Sequence, residues 1–508
     1  MSDFRLLDFH ADASIAKERR RNGQSLTNTL PLSLVPDGVD ADSLGLSWVT
    51  VITGRNGTGK SRALAAIAAA FWVADGSQPS GRKRTLPGGE ARLRYASGGA
   101  IYEGSVRQHG GWTVQAESGF ESDAPLPRRV IALSTSATDK FPLPSRVDQE
   151  EIADESRYRY MGLRDRSGRA SATAVAFRAL EVLVAATAGT LERRAKIADV
   201  FGFLRYAPRV EHTYGWRYRI PAGGLEALDE LLDDSVSRGS STLRAIKLRR
   251  MVANDPSVAV AVRNAAARVM SQTDAAGRIQ MEADFRRVGT DEVARFRDIQ
   301  LLKRAGLVDL RAVEVERAAD GLKIDLRETS SGELSMASAF LGLAAVIEDG
   351  SLVLIDEPEV GLHPEWQADF LRLLMQTFGD YRGCHFIVAT HSPLVVSGVP
   401  PRASNVVSVD QPSGRPVMGD QYAGDSIDEV LVREFGVLGD GNLFAKQRLV
   451  EALRLAADGR IASDEFDATL APLKIALPNL KSSSPVRSLI LELLQAQSVE
   501  KGHGSWNQ

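Results

Sequence analysis

The sequence predicts an α/β fold. A parallel or mixed β-sheet is flanked by helices, split by a mainly helical insertion and followed by a helical C-terminal region. Three observations predict it. Near residue 50 a β-branched run, a glycine-rich turn and an Ala-rich stretch follow one another directly. Between residues 329 and 395 short apolar runs alternate with longer stretches of helical spacing. Between these two regions apolar residues recur mostly at helical intervals. Alternation of strand and helix signals implies crossover units, and so a parallel sheet with helices on its faces.

Each element can be justified in turn. Residues 1–45 are polar and turn-rich, and the basic run Lys17, Arg19, Arg20 and Arg21 reads as a solvated face. Residues 46–53, LSWVTVIT, form a strand, and residues 62–74 an Ala-rich helix. Residues 95–120 alternate weakly between many glycines, as a meander does, and residues 129–134, RVIALS, form a buried strand. These segments make a first lobe, residues 1–150. Residues 151–310 form the insertion, with helical patterns at 171–190, 225–251 and 258–270. No heptad pattern persists there, which disfavours a long coiled-coil arm. Residues 311–400 form a second lobe. It opens with strands at 312–317 and 321–326, continues with helix 334–347, strand 352–355 and helix 365–378, and closes with strand 385–389. Residues 401–508 are mixed at first, then mostly helical, with a polar tail from Ser498.

Composition excludes several function classes. With 44% hydrophobic and 25% charged residues, the 508-residue chain is ordinary globular material for about three domains. Its 62 basic and 65 acidic residues rule out a globally basic nucleic-acid coat, though not a local patch. The single cysteine, Cys384, cannot form an internal disulfide or a cysteine-rich zinc site, and suits a reducing compartment. The longest apolar run, residues 63–74, is far shorter than the roughly 20 residues a membrane helix needs. No secretory signal is visible at the N-terminus, so a cytoplasmic location is expected.

Four segments carry chemistry. Gly54-Arg55-Asn56-Gly57-Thr58-Gly59-Lys60-Ser61 matches the phosphate-binding loop G-x-x-x-x-G-K-[ST], with a strand before it and a helix, opening at Arg62, after it. Its glycines let backbone N–H groups face phosphate oxygens. Lys60 can neutralise β- and γ-phosphate charge, and the Ser61 hydroxyl can ligate Mg²⁺. Residues 352–357, LVLIDE, place two acids at the C-terminal end of a buried strand, where ligands of open α/β sheets bind. Asp356 is the candidate Mg²⁺ ligand and Glu357 the candidate general base. Residues 329–333, TSSGE, open a helix with the capping pattern Ser330…Glu333, and such a turn can also meet a phosphate. Residues 389–393, ATHSP, put His391 just after an apolar strand.

In this order the segments resemble the motifs of ABC-type ATPases, in the SMC, RecF and OLD-like branch. Ser330 matches the signature serine and Gly332 its second glycine, with Ser331 between them. Residues 358–364, PEVGLHP, resemble the D-loop, and His391 matches the switch histidine. The P-loop and signature lie 330 − 60 = 270 residues apart. That gap resembles the split heads of chromosome-maintenance and phage-defence ATPases rather than transporter subunits.

The resemblance implies an ATPase head binding ATP and Mg²⁺ in a head-to-tail pair. One chain would supply Lys60, Ser61, Asp356, Glu357 and His391, and the other Ser330 and Gly332. The closer resemblance is to stand-alone ATPases of anti-phage systems, the Septu PtuA type and retron-associated ATPases. It implies a separate effector partner such as an HNH nuclease. No TOPRIM or HNH metal set was found in the sequence, so no nuclease is expected within the chain. A RecF- or SMC-like repair or chromosome ATPase, and an ATP-bound scaffold with negligible turnover, are the alternatives.

Three points stay open at this level. The family's lobe-linking loop falls near residues 133–141 but has no glutamine, leaving Ser136 or Asp139 as stand-ins; Gln108, Gln115 and Gln149 lack the context. The stretch 156–169 interleaves Arg157, Arg159, Arg164, Arg166 and Arg169 with Tyr158 and Tyr160, a pattern that suits nucleic acid, a subunit or nucleotide interface, or plain surface. Arg244, Lys247, Arg249 and Arg250 form a second basic cluster, either phosphate-contacting or solvated.

Overall fold

The structure is a computed structural model. It describes residues 3–11, 30–38, 45–76, 90–107, 111–117, 125–136, 138–143, 156–164, 191–217, 225–226, 228–229, 248, 251–253, 255–287, 290–325, 331–410, 415–438 and 441–504. The helix expected at 171–190, most of that expected at 225–251, and the basic residues Arg244, Lys247, Arg249 and Arg250 lie outside them.

β1 (Phe4–Ala11) and β2 (Leu30–Ser33) precede β3 (Trp48–Thr53), which leads through the glycine-rich turn into α1 (Lys60–Ala74). β4 (Glu90–Ser97), β5 (Ala100–Arg107) and β6 (Gly111–Ala116) are the expected meander. They join β1 and β2 in a five-stranded sheet of order β2-β1-β4-β5-β6, antiparallel throughout. β7 (Val130–Ser134) and β8 (Tyr158–Gly162) follow.

The insertion holds α2 (Leu191–Phe203), β9 (Tyr206–Trp216), α3 (Ser257–Met270), β10 (Arg278–Asp284) and α4 (Thr290–Arg304). The second lobe continues with β11 (Val308–Arg317), β12 (Lys323–Asp325), α5 (Ser331–Val346), β13 (Leu352–Asp356), α6 (Pro364–Phe378), β14 (His385–Ala389) and α7 (Pro393–Ser397). β15 (Ser404–Ser408), β16 (Val417–Met418), α8 (Ile427–Phe435), α9 (Leu443–Ala457), α10 (Asp464–Ala476) and α11 (Pro485–Gly504) complete the chain.

The central sheet has seven strands in the order β16-β15-β3-β14-β13-β7-β8. All neighbours pair in parallel except the edge strand β16. One face packs on α1, whose other side meets the five-stranded sheet through Phe71, Tyr95 and Leu93. A helix between two sheets has no solvent face, which explains why α1 is apolar nearly all round. The opposite face of the sheet packs on α2, α5 and α6 through Phe201, Phe340, Phe370 and Phe378.

One expectation needs an addition and two need correction. The insertion is not only helical: β9 and β10 pair with β11 and β12 in a four-stranded antiparallel sheet with its own core. β9 does alternate, with Val210, His212, Tyr214 and Trp216 on its buried face, but a histidine in the buried set and Pro208 near its start weaken the strand signal. The sheet also crosses the expected lobe limits, because β8 lies beyond residue 150 and β15 beyond residue 400. Finally, the segment from Ser498 to Gly504 continues α11, since a polar helix end needs no apolar period. α9 and α10 begin at side-chain caps from Asn442 and Ser463 and, with α8 and α11, share a separate small core.

Candidate nucleotide-binding site

The glycine-rich turn is shaped by backbone geometry and by close approach. Gly54, Gly57 and Gly59 have φ of 143°, 87° and 104°, which L side chains rarely adopt. At Gly54 a Cβ would also lie 2.4 Å from Val409 Cγ2. The loop is braced from the turn after β15, where Asp410 Oδ2 accepts the Arg55 N–H at 2.6 Å. Thr58 Oγ1 donates to Arg55 O at 2.9 Å. Lys60 is only 8% exposed, and its Nζ donates to the carbonyls of Gly54 at 2.5 Å and Arg55 at 3.0 Å. Burial lowers its pKa, opposed by the charges of Asp410, Glu359, Glu357 and Asp356.

The parallel sheet brings the remaining groups level with this loop. Asp356 is in register with Ala389 of β14 and Ser134 of β7, and Ala389 with Ile52 of β3. The loops after β3, β13 and β14 therefore leave the sheet side by side. Asp356 is 2% exposed, and burial raises its carboxyl pKa to about 7, against the lowering effect of a hydrogen bond from Ser61. The nearby charges of Glu357, Asp139 and Glu359 raise it further. Asp356 Oδ1 is buried without a partner among the described residues.

A hydroxyl beside a buried, half-satisfied carboxylate is the donor chemistry a hard divalent cation takes. The described residues contain no cluster of three or more metal-ligating side chains.

Glu357 adopts φ 50°, unusual for a non-glycine residue. The conformation is pinned from both sides: its N–H donates to Ala389 O at 2.9 Å, and its carbonyl accepts from Thr135 Oγ1 at 2.6 Å. His391, 38% exposed, has its N–H donated to Glu359 Oε1 at 2.8 Å, and its Nδ1 lies 3.2 Å from the same oxygen. Gln367 on α6 reinforces this link. Its Nε2 donates to Leu362 O at 3.0 Å, and its Oε1 accepts from Ser392 Oγ at 2.8 Å.

α5 begins at Ser331, with Gly332 in its first turn. A Cβ on Gly332 would lie 2.2 Å from Gly361 O, so the start of α5 rests directly on the backbone after the acid pair. Ser330 and the side chain of Ser331 lie outside the described residues.

With this geometry in place, comparison with known proteins decides the family. Residues 49–397, more than half of the chain, match the family described as "AAA domain, putative AbiEii toxin, Type IV TA system". The chain belongs to this family of P-loop ATPases. It is 42% identical over 81 residues to protein ea59 of Escherichia phage lambda, which is 16% of this chain and 15% of that one. It is 35% identical over 91 residues to the retron Vc95 probable ATPase of Vibrio cholerae serotype O1 biovar El Tor, 16% of this chain and 17% of that one. The chain thus spans about a sixth of the length of these relatives. Among solved structures it is similar to the Smc head domain of Pyrococcus furiosus, with TM-score 0.31, 12% identity, and coverage of 81% of this chain and 95% of that one. For the SMC head domain of Thermotoga maritima the values are 0.28, 13%, 81% and 97%. Likenesses this remote carry no function across.

Within this family member, two sequence-level candidates change character. Asp139 is fully buried in a local network. Arg164 Nη2 donates to its Oδ1 at 2.6 Å, the Tyr160 hydroxyl to its Oδ2 at 2.7 Å, and the Phe141 N–H to its Oδ1 at 3.0 Å. Its oxygens are already taken, which argues against Asp139 as the lobe-linking ligand. Arg164 is correspondingly not a free phosphate contact. Arg157 pairs with Asp75 at 2.9 Å. Tyr158 is buried and stacks on Trp72 with centroids 4.7 Å apart, and Tyr160 is buried as well. The Arg–Tyr interleaving is strand alternation: β8 turns its tyrosines into the core, so they are not a stacking platform for bases. Arg159 lies on the same strand, half-buried.

Three functional candidates were missed by sequence reasoning. Glu359 figures in the sequence only as part of the segment after the acid pair, and Asp410 and Glu434 carry no motif at all. Glu434 on α8 accepts from Thr53 Oγ1 at 3.1 Å and from the Tyr422 hydroxyl at 2.5 Å, tying the C-terminal helices to the end of β3. Only the position of Glu359, two residues past the acid pair, was a usable signal. The other two depend on contacts 355 and 381 residues apart in sequence.

Proposed function

We propose that this protein is a Mg²⁺-dependent ATPase of the ABC-type head architecture. Two copies would pair head to tail around ATP, and the nucleotide state would restrain or license a separate effector, plausibly an HNH-like nuclease, in anti-phage defence. The observation that carries the reading is the convergence at one sheet edge: the braced P-loop, Ser61 in hydrogen-bond reach of Asp356, and Glu357 and His391 on the adjoining strand ends. Lys60 would leave the loop carbonyls for β- and γ-phosphate oxygens, and α1 would present its N-terminal N–H groups. Ser61 and Asp356 would hold Mg²⁺, which supplies charge neutralisation to the phosphates. Glu357 would accept a proton from the attacking water, and His391 would lie beside the γ-phosphate. Ser330, Ser331 and Gly332 of the second copy would close the site. The match to a retron ATPase supports a defence setting. No described helix is long and apolar enough to cross a membrane.

The test is Glu357→Gln in the full chain. Turnover should fall at least about 100-fold, a general-base loss, while ATP holds the variant as a stable pair. A wild-type turnover that is already negligible and stays so in the variant would defeat the hydrolytic reading and favour a scaffold, and an appreciable turnover left unchanged would remove Glu357 as the base. ATP-dependent DNA binding by the chain alone would favour repair.

A further inference from the structure

Glu359 is the strongest buried polar group near the site that the proposed chemistry leaves unused. It lies two residues past Glu357 on the turn between β13 and α6, and it is 6% exposed. One oxygen, Oε1, faces His391 twice, at 2.8 Å from its backbone nitrogen and 3.2 Å from Nδ1. Oε2 is buried with no hydrogen-bond partner among the described residues. Burying a carboxylate with one oxygen unsatisfied is costly, and a neutral side chain could cap the same N–H at lower cost. An acid here therefore asks for a reason beyond folding.

We infer that Glu359 is the positioning residue of His391, fixing its backbone through the N–H and keeping a carboxylate oxygen 3.2 Å from Nδ1, so that Nε2 is the nitrogen left to face the γ-phosphate side. The inference rests on the proposed role of His391. The surrounding contacts make the link rigid. The Gln367 amide holds Leu362 O at one end and the Ser392 hydroxyl at the other, so the turn carrying Glu359 and the loop carrying His391 are joined twice. The Nδ1 approach to Oε1 does not meet hydrogen-bond alignment, so the hold on His391 runs through its backbone N–H, with the carboxylate beside the ring favouring a proton on the near nitrogen. The same turn rests on Gly332 through Gly361 O, so a shift of the helix start would reach His391 through Glu359.

The test compares His391→Ala, Glu359→Ala, Glu359→Gln and the double variant Glu359→Ala/His391→Ala for ATP kcat, KM and melting temperature. His391→Ala should lower kcat about tenfold or more with KM little changed, as loss of a transition-state contact does. Glu359→Ala should lower kcat to a similar extent, and Glu359→Gln less, because its amide oxygen can still cap the N–H. The double variant should be no slower than His391→Ala by more than about twofold, since one residue acts through the other. If the two losses multiply, Glu359 acts on its own and the inference is overturned. If His391→Ala is slow and Glu359→Ala is fast, only the inference falls. If His391→Ala keeps full kcat, the proposed role of the histidine falls, and the inference with it. Should Glu359→Ala fail to fold, Glu359→Gln and Glu359→Gln/His391→Ala give the same comparison.

Discussion

Replacing Gly332 with alanine separates two effects of opposite sign. Gly332 lies in the first turn of α5 with an ordinary negative φ, so alanine there gains up to about 1 kcal/mol of helix propensity over glycine. Against this, the new Cβ would meet Gly361 O at 2.2 Å, Gly361 C at 3.2 Å and Leu362 Cα at 3.7 Å. Ordinary carbon–oxygen contact begins near 3.2 Å, so the two segments must part by about 1 Å. All three atoms are backbone, and no rotamer change relieves the contact. The turn is held from behind by Gln367 on Leu362 O and by the Leu362 N–H on Glu359 O at 3.1 Å.

Overpacking of this kind costs about 1–3 kcal/mol, so the net effect is destabilising. At about 2–4 °C per kcal/mol for a domain of this size, melting should fall on the order of 5 °C. Thermal unfolding of Gly332→Ala reads this directly, with Gly202→Ala on α2 as control, because a Cβ there meets nothing within 4 Å. Turnover should fall with stability in Gly332→Ala and hold in the control. A Gly332→Ala protein that melts at or above the wild-type temperature would refute the close approach.

Other consequences follow from buried charge. His385, bonded by Leu6 N–H at 3.1 Å and Thr50 Oγ1 at 2.9 Å, and His212, without a hydrogen-bond partner among the described residues, are both held neutral by burial, with the His212 pKa lowered to about 3. Their stability contribution is complete above the unfolded histidine pKa of about 6.5 and is lost as pH falls below it, by up to about 1.4 kcal/mol per unit for each residue. Denaturation midpoints should drop between pH 7 and pH 5, and His212→Leu should flatten that slope; a slope unchanged by the substitution contradicts the assignment. Arg164→Ala strands the Asp139 carboxylate with only Tyr160 and the Phe141 N–H, which should cost about 2–4 kcal/mol in urea unfolding. Glu434→Ala releases Thr53 and Tyr422 together and should lower the melting temperature, with about 1–3 kcal/mol lost. Intact stability would show that α8 is not anchored through this carboxylate.

The α/β core was legible because its strands are short apolar runs closed by chemically marked loops: β3 by glycines, β13 by two acids, β14 by Thr-His-Ser-Pro. In such strands both faces are buried, so composition alone marks them. The order of β7, β13, β14 and β3 was not legible, since register between parallel strands leaves no local trace. β9 is hard to see because a histidine, His212, stands in its buried set and its partners lie far along the chain. The basic segment at Arg157–Arg164 was read through composition, and only the pairing of Arg164 with Asp139 and of Arg157 with Asp75 assigns those charges. Glu359 shows the same limit at the site itself. Its spacing from the acid pair was visible, but the contact to His391 forms only when β13 and β14 lie side by side.

Mixing two inactive chains tests the shared site most directly. Lys60→Ala removes the phosphate-binding lysine, and Ser330→Arg blocks the turn that would reach across from the second copy. Each variant alone should be inactive in ATP turnover. Mixed in equal amounts, they should recover a measurable fraction of wild-type activity, because a mixed pair retains one site with Lys60 and Ser330 both intact. No recovery on mixing, with both variants folded, or full activity of Ser330→Arg alone, would contradict a nucleotide held between two copies of this chain.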